Sequence, residues 1–138
     1  MKFLKIQIIP LVILFFVISA CSKSDEPPAT SPIIQQGTWR VSYFSDNGAV
    51  ETNNYTGYVF TFNSNGSVTA VKNGVSTTGT WSPGTKESDN KLVLTFNAIA
   101  LSELNTDWHF TEKSYSVLAM EHVHSGNGGI DVLILEKI

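Results

Sequence analysis

Residues 57–81 read GYVFTFNSNGSVTAVKNGVSTTGTW, and this stretch repeats with a period of two. Tyr58, Phe60 and Phe62 alternate with Val59 and Thr61. Val68 and Ala70 alternate with Ser67 and Thr69, and Val75, Thr77, Gly79 and Trp81 share one parity. Alternation of this kind marks a half-buried strand, whereas an amphipathic helix repeats every 3.6 residues. Two Asn-Gly pairs, Asn65-Gly66 and Asn73-Gly74, separate the three runs. Asn and Gly accept positive φ at small cost, as a tight hairpin turn requires. The segment predicts three consecutive antiparallel strands.

The same reading extends in both directions. Trp39, Val41 and Tyr43 alternate with Arg40 and Ser42; Leu92, Leu94 and Phe96 alternate with Val93 and Thr95. Trp108 and Phe110 flank His109, and Leu118 and Met120 flank Ala119. Residues 130–135 are nearly all apolar, so the pattern does not assign their faces. Turn signals stand at Asp46-Asn47-Gly48, Pro83-Gly84 and Gly126-Asn127-Gly128-Gly129. Eight strands follow, over about 37–44, 57–63, 67–72, 75–82, 91–97, 107–112, 115–122 and 130–137. Leu101 and Leu104, three apart, predict one helical turn within residues 98–105. Short sequential links favour a meander, and closing it into an up-and-down barrel removes both sheet edges. The expected fold is an all-β antiparallel barrel of about eight strands. A two-sheet β-sandwich is the alternative.

The chain has 138 residues, nine Lys+Arg, twelve Asp+Glu, three His and one Cys. That length suits one domain of ordinary size. Residues 1–20 hold 15 of the apolar side chains, and without their two lysines the rest carries a net charge of −5. An acidic chain without a basic cluster argues against nucleic-acid binding. One cysteine excludes an internal disulfide and a Cys-based zinc site.

Lys2 and Lys5 precede an apolar run from Ile6 to Ile18, which ends in Ser19-Ala20-Cys21. Charged, apolar and small-residue regions in this order make a secretory signal peptide. The run is too short to span a bilayer, which takes about 20 apolar residues. Ile18-Ser19-Ala20-Cys21 resembles the lipobox of bacterial lipoproteins, which implies that Cys21 is lipidated and becomes the new N-terminus. Ser22–Gln36 contains three prolines among Ser, Thr and charged residues and reads as a disordered tether. Lys23-Ser24-Asp25-Glu26 resembles, loosely, the acidic export signal of Bacteroidota surface lipoproteins. The organisation is therefore a signal peptide at 1–20, a lipidated Cys and tether at 21–36, and a barrel domain at 37–138.

Gly37-Thr38-Trp39 resembles the G-x-W signature of lipocalin-like proteins, and Gly79-Thr80-Trp81 repeats it. Together with LSELNTDW at 101–108 and GGIDVLILEKI at 128–138, the stretch from Gly37 is similar to small lipocalin-like lipoproteins of Bacteroidota. The resemblance implies a calycin-type barrel and a place in the cell envelope, on the outer membrane, at the surface or the periplasmic face. It does not imply a ligand.

The candidate barrel interior is Trp39, Tyr43, Tyr58, Phe60, Phe62, Trp81, Phe96, Trp108 and Phe110. This set either lines a cavity for a small apolar ligand or simply fills the barrel, since eight strands leave room for one or the other. Tyr43 and Tyr58 would be the polar handles of a wet pocket. Arg40 faces outward by parity. Asp107 is expected to accept from backbone N–H groups, and Trp108 to pack on Leu101 and Leu104. His122 and His124 share one strand face, with Glu121 and Asp131 near the same hairpin. They read by default as solvated loop histidines and are weak metal candidates. No cofactor is expected. No G-x-S-x-G, P-loop, H-E-x-x-H or dinucleotide motif occurs, so no enzyme is expected. The fold analogy favours a lipid-anchored protein that binds a small apolar ligand. The alternative is a filled-barrel interaction module for an envelope protein or glycan, with the loops at Tyr55 and at His122–His124 as its candidate surface.

Overall fold

The computed structural model describes residues 30–84 and 90–138. The expected signal peptide, Cys21 and the first part of the expected tether lie outside the described residues. Nine strands follow in chain order: β1 Trp39–Asp46, β2 Ala49–Val50, β3 Val59–Phe62, β4 Ser67–Lys72, β5 Val75–Pro83, β6 Lys91–Thr95, β7 Asp107–Lys113, β8 Val117–Val123 and β9 Ile130–Lys137. A short helix α1, Thr30–Ile34, precedes them, and 3-10 turns occupy Thr52–Tyr55 and Ile99–Leu104. The second of these falls where the Leu101/Leu104 spacing puts one helical turn.

From β3 to β9 every strand pairs antiparallel with the next, and β9 pairs back onto β1 from Trp39↔Lys137 to Ser45↔Val132. That ladder closes the barrel and disposes of the sandwich. The ninth strand is the extra one: β2 makes only a short hairpin with β1, through Ser45↔Val50 and Asp46↔Ala49. The remaining seam, between β1 and β3, is held by a single pair, Trp39↔Phe60. Above it the chain crosses as the first 3-10 turn. Thr52 Oγ1 accepts from the Phe44 N–H at 2.9 Å, and the Glu51 N–H donates to the Phe44 carbonyl at 2.9 Å. These bonds satisfy backbone groups of β1 that no strand pairs.

The register of β1 differs from simple alternation. Val41 faces Leu135, but Tyr43 faces Ile134, so β1 carries one extra residue between them. Such a bulge exchanges inward and outward sides beyond it. Phe44 therefore enters the core, fully buried, and Tyr43 is only half-buried. Placing Tyr43 inside on the parity of Trp39 and Val41 is thus corrected by the bulge.

The disordered tether expected up to Gln36 is also corrected. Thr30, Ile33 and Ile34 are fully buried, and the two isoleucines join the same core as Trp39. The Trp39 indole N–H donates to the Ile34 carbonyl at 2.8 Å, inside that core. Gly37 then turns the chain into β1 with φ +82°, a conformation that a residue with Cβ rarely adopts. This gives the first glycine of the G-x-W motif a backbone reason. Proline and serine at 31–32 disguised the turn of helix, but the apolar pair at 33–34 is what the core uses.

Two outcomes test this packing. Starting the folded unit at Gly37 should cost about 3 kcal/mol or more, from roughly 1.5–3 kcal/mol for each buried isoleucine. Urea melts of the two lengths measure it, and equal midpoints would show that α1 is dispensable. Gly79 lies so close to β6 that a Cβ there would overlap the Thr95 carbonyl and the Phe96 ring. Gly79→Ala should therefore lower the stability by about 1–3 kcal/mol, as overpacking does, read as a lower urea midpoint with an unchanged slope.

Candidate functional site

The end of the barrel opposite α1 changes chemistry at its inward positions. On β9 these are Leu135 and Leu133, both buried, and then Asp131, only 7% exposed. On β8 Leu118 and Met120 are buried, and His122, next on that side, is half-buried. His124 follows just past the strand end. On β1 Phe44 and Ser45 are buried, and Asp46 is half-buried. Polar groups thus lie on top of an apolar core. With Ser102, Glu103, Asn105 and Thr106 from the second 3-10 turn and its exit, they line a cleft of about 290 Å³.

The cleft holds three carboxylates, Asp46, Glu103 and Asp131, two imidazoles, and neither Lys nor Arg in its lining. Asp131 is its centre. One carboxylate oxygen accepts the Asn47 N–H at 2.9 Å, and the other lies 2.8 Å from His124 Nε2. Asp46, His124 and Asp131 each offer a ligating atom within 4.8 Å of the others. The hydrogen bond to Asp131 holds the Asp46 carboxyl above the usual carboxylate value, with burial and the Asp131 charge adding to it. Burial pushes Asp131 up as well, but the Asn47 N–H and the His124 ring outweigh it and leave Asp131 below the usual value. The pair behaves as two carboxyls that resist being charged together.

The supports of this cleft are ordered by hydrogen bonds. His122 Nδ1 lies 2.9 Å from Thr106 Oγ1 and 3.2 Å from the Asp107 carbonyl, and the His122 and His124 rings meet edge to face at 5.3 Å. Both histidines are held by hydrogen bonds and only partly exposed, rather than simply solvated as the glycine-rich hairpin suggested. The Asn105 side chain holds both backbone groups of Phe96, at 2.6 and 2.7 Å, and so fixes the start of the segment carrying Glu103. The Tyr55 hydroxyl donates to Glu103 at 3.1 Å. Tyr55 is buried against Phe44, at 4.9 Å between ring centroids, so its loop offers no exposed aromatic surface. That expectation is corrected by the seam: the first 3-10 turn has to plug it.

The other sequence candidates are placed as follows. Trp39, Phe60, Phe62, Trp81, Phe96, Trp108 and Phe110 are buried, and Tyr58 is half-buried against the same cluster. The Trp108 indole donates to the Leu104 carbonyl at 3.0 Å, and Leu101 and Leu104 are buried beside it in the core. Asp107 binds the Lys91 ammonium at 2.9 Å, and that bond holds its carboxyl below the usual value. Its main partner is thus a side chain rather than backbone N–H. Arg40 is exposed and pairs with Glu136 on the outer wall. Asp46 was missed, because within Asp46-Asn47-Gly48 it reads as a turn former. Only closure of β1 on β9 sets it beside Asp131.

The molecule is therefore a closed antiparallel barrel with a side-chain-packed interior and an acidic, histidine-bearing mouth. Among solved structures it resembles a DUF4847-family protein from Bacteroides vulgatus, with a TM-score of 0.53 and 18% sequence identity over 77% of this chain and 95% of the other. That likeness concerns the fold. No family model matches the chain, and no curated protein matches it.

Tyr55 provides a reporter for the mouth. Burial first, then the Glu103 charge and hydrogen bond, raise its hydroxyl far above the ordinary value of 10. The folded value exceeds the unfolded one, so this contribution to stability is complete below about pH 10 and is lost as pH rises beyond it. In alkaline titration, the Tyr55 share of tyrosinate absorbance should appear only as the fold opens, and Tyr55→Phe should remove it. Its appearance in folded protein near pH 10 would refute the buried pairing.

Proposed function

We propose that this chain is a lipid-anchored protein of the cell envelope whose filled barrel is a recognition module, meeting a protein or glycan through its mouth rim. The observation that carries this reading is the packed interior. Trp39, Phe44, Phe60, Trp108, Leu118, Met120 and Leu133 are all at most 1% exposed. The clefts of about 290 and 440 Å³ lie at the rim and outer wall and are lined mainly by polar side chains. A carrier of an apolar molecule needs a mostly apolar pocket instead. The filled barrel therefore favours the interaction module over the ligand carrier that fold analogy suggests.

Orientation supports the same reading. The chain enters the fold through α1, at the end where Trp39 is buried. Eight residues lie between Cys21 and Thr30, a reach of roughly 30 Å at most. An anchor at Cys21 would hold the α1 end toward the membrane and present the opposite rim. That rim carries Ile99, 91% exposed, and the exposed cross-strand pair Val123 and Ile130. Exposed apolar side chains at a polar rim suit a contact surface.

A photoreactive residue placed at Ile99 or Val123 in the native host should give discrete adducts. The same group at Tyr115, in the turn at the α1 end, should not. Cys21→Ser should release the protein from membranes and abolish the adducts. Absence of adducts from both rim positions, or a stoichiometric lipid extracted from the purified barrel, would overturn the reading.

A further inference from the structure

We propose that Asp46, His124 and Asp131 bind one divalent transition cation of the zinc type at the barrel mouth. Three observations converge on it. The first is the donor set: one imidazole and two carboxylates whose ligating atoms lie within 4.8 Å of one another. Mixed nitrogen and oxygen donors of this kind suit zinc, nickel or copper better than magnesium or calcium, which favour oxygen alone. Metal–ligand bonds of about 2.0–2.2 Å in a tetrahedron put donors about 3.3 Å apart, so a small inward adjustment completes the site.

The second observation is electrostatic. The ligating oxygens of Asp46 and Asp131 lie within 4.8 Å of each other, with Glu103 on the same cleft, and no Lys or Arg lines it. Like charges this close at a partly desolvated position favour a proton or a cation between them. The carboxylates elsewhere that are strongly paired have basic partners, Lys91 for Asp107 and Arg40 for Glu136. A bound dication would neutralise the pair and leave His124 as the neutral nitrogen donor.

The third is rigidity and placement. Asp46 and Asp131 sit at the ends of β1 and β9, whose ladder runs through Ser45↔Val132. His124 follows β8, where His122↔Asp131 fixes the register. Asp131 takes an inward barrel position at which an apolar residue would extend the core, and the Asn47 N–H holds one of its oxygens. Two of the ligands are thus set by paired strands, and His124 by its backbone N–H, which donates to the Gly129 carbonyl across the hairpin at 2.9 Å. The cleft of about 290 Å³ leaves space for a coordinated water or for a donor from a bound molecule.

Titration calorimetry and native mass spectrometry of the folded barrel test the site with Zn²⁺ alone, with Mg²⁺ and Ca²⁺ as comparisons. The expected result is one Zn²⁺ per chain, a raised melting temperature, and no comparable effect of Mg²⁺ or Ca²⁺. His124→Gln and Asp46→Asn, at half-buried positions, should each weaken Zn²⁺ by about tenfold or more. His109→Gln, on the outer wall, should leave binding unchanged. Asp131→Asn is the less informative change, because both oxygens of Asp131 are engaged, by the Asn47 N–H and by His124, and an amide keeps only one of them. Absence of Zn²⁺ binding to the folded protein would overturn the proposal. Binding that survives both His124→Gln and Asp46→Asn would overturn it equally, because the ion would then sit on other side chains. These results stand apart from partner binding at the rim, which is read by crosslinking.

Discussion

The backbone ladder between β1 and β9 is the constraint on which the rest of the structure depends. Without it the meander is an open sheet with two long unpaired edges. With it, the chain encloses one core and the first and last strands become neighbours. Its register also carries the bulge after Val41, and that bulge decides which aromatic of β1 fills the interior. The side chain of Phe44 then lies within reach of both Tyr55 and Trp108, at 4.9 and 6.3 Å between centroids. One inserted residue thereby sets the packing under the mouth and the position of Asp46 above it.

The three tryptophans share a second task. Each indole N–H donates to a backbone carbonyl of a connecting segment: Trp39 to Ile34, Trp81 to Asn63 and Trp108 to Leu104. The ring supplies buried apolar area, and its one donor ties down a piece of chain that has no strand partner. Trp39 secures α1 at one end, and Trp108 secures the second 3-10 turn at the other. A barrel of this size has little core to spare, so fastening its ends from inside is an economical way to keep water out of them.

Much of this was legible in the sequence, for physical reasons. Strand periodicity survives in residues 57–81 because side chains on a pleated strand must alternate, and the Asn-Gly turns leave their mark because positive φ limits residue choice. Asn73 and Gly74 do adopt it. What was not legible depends on pairing. The bulge in β1 leaves no signature in Trp39–Asp46, since Tyr43 and Phe44 are both plausible core residues. The burial of Ile33 and Ile34 was hidden by the prolines and polar residues around them. The faces of β9 could not be assigned from a nearly continuous apolar run; the structure puts Leu133 and Leu135 inside and leaves Ile130 exposed. The site at the mouth was only half visible, because His124 and Asp131 are near in sequence but Asp46 is 85 residues from Asp131.

The packed interior and the polar mouth are two sides of one size limit. Eight short strands enclose room for either side chains or a small guest, and here bulky aromatic and aliphatic groups occupy it. Specific chemistry is then confined to the rim, where a polar group can keep partial hydration while the barrel fixes its direction. Asp131 shows the compromise. It is 7% exposed, yet a backbone N–H and an imidazole reach its two oxygens. A carboxylate pair that served only to hold the Asn47 turn would be better replaced by one Asp and one Asn, which keep the acceptor without the repulsion. Retaining both acids beside a histidine, at a mouth that has no ammonium or guanidinium in its lining, is the arrangement expected where the missing positive charge comes from outside the chain.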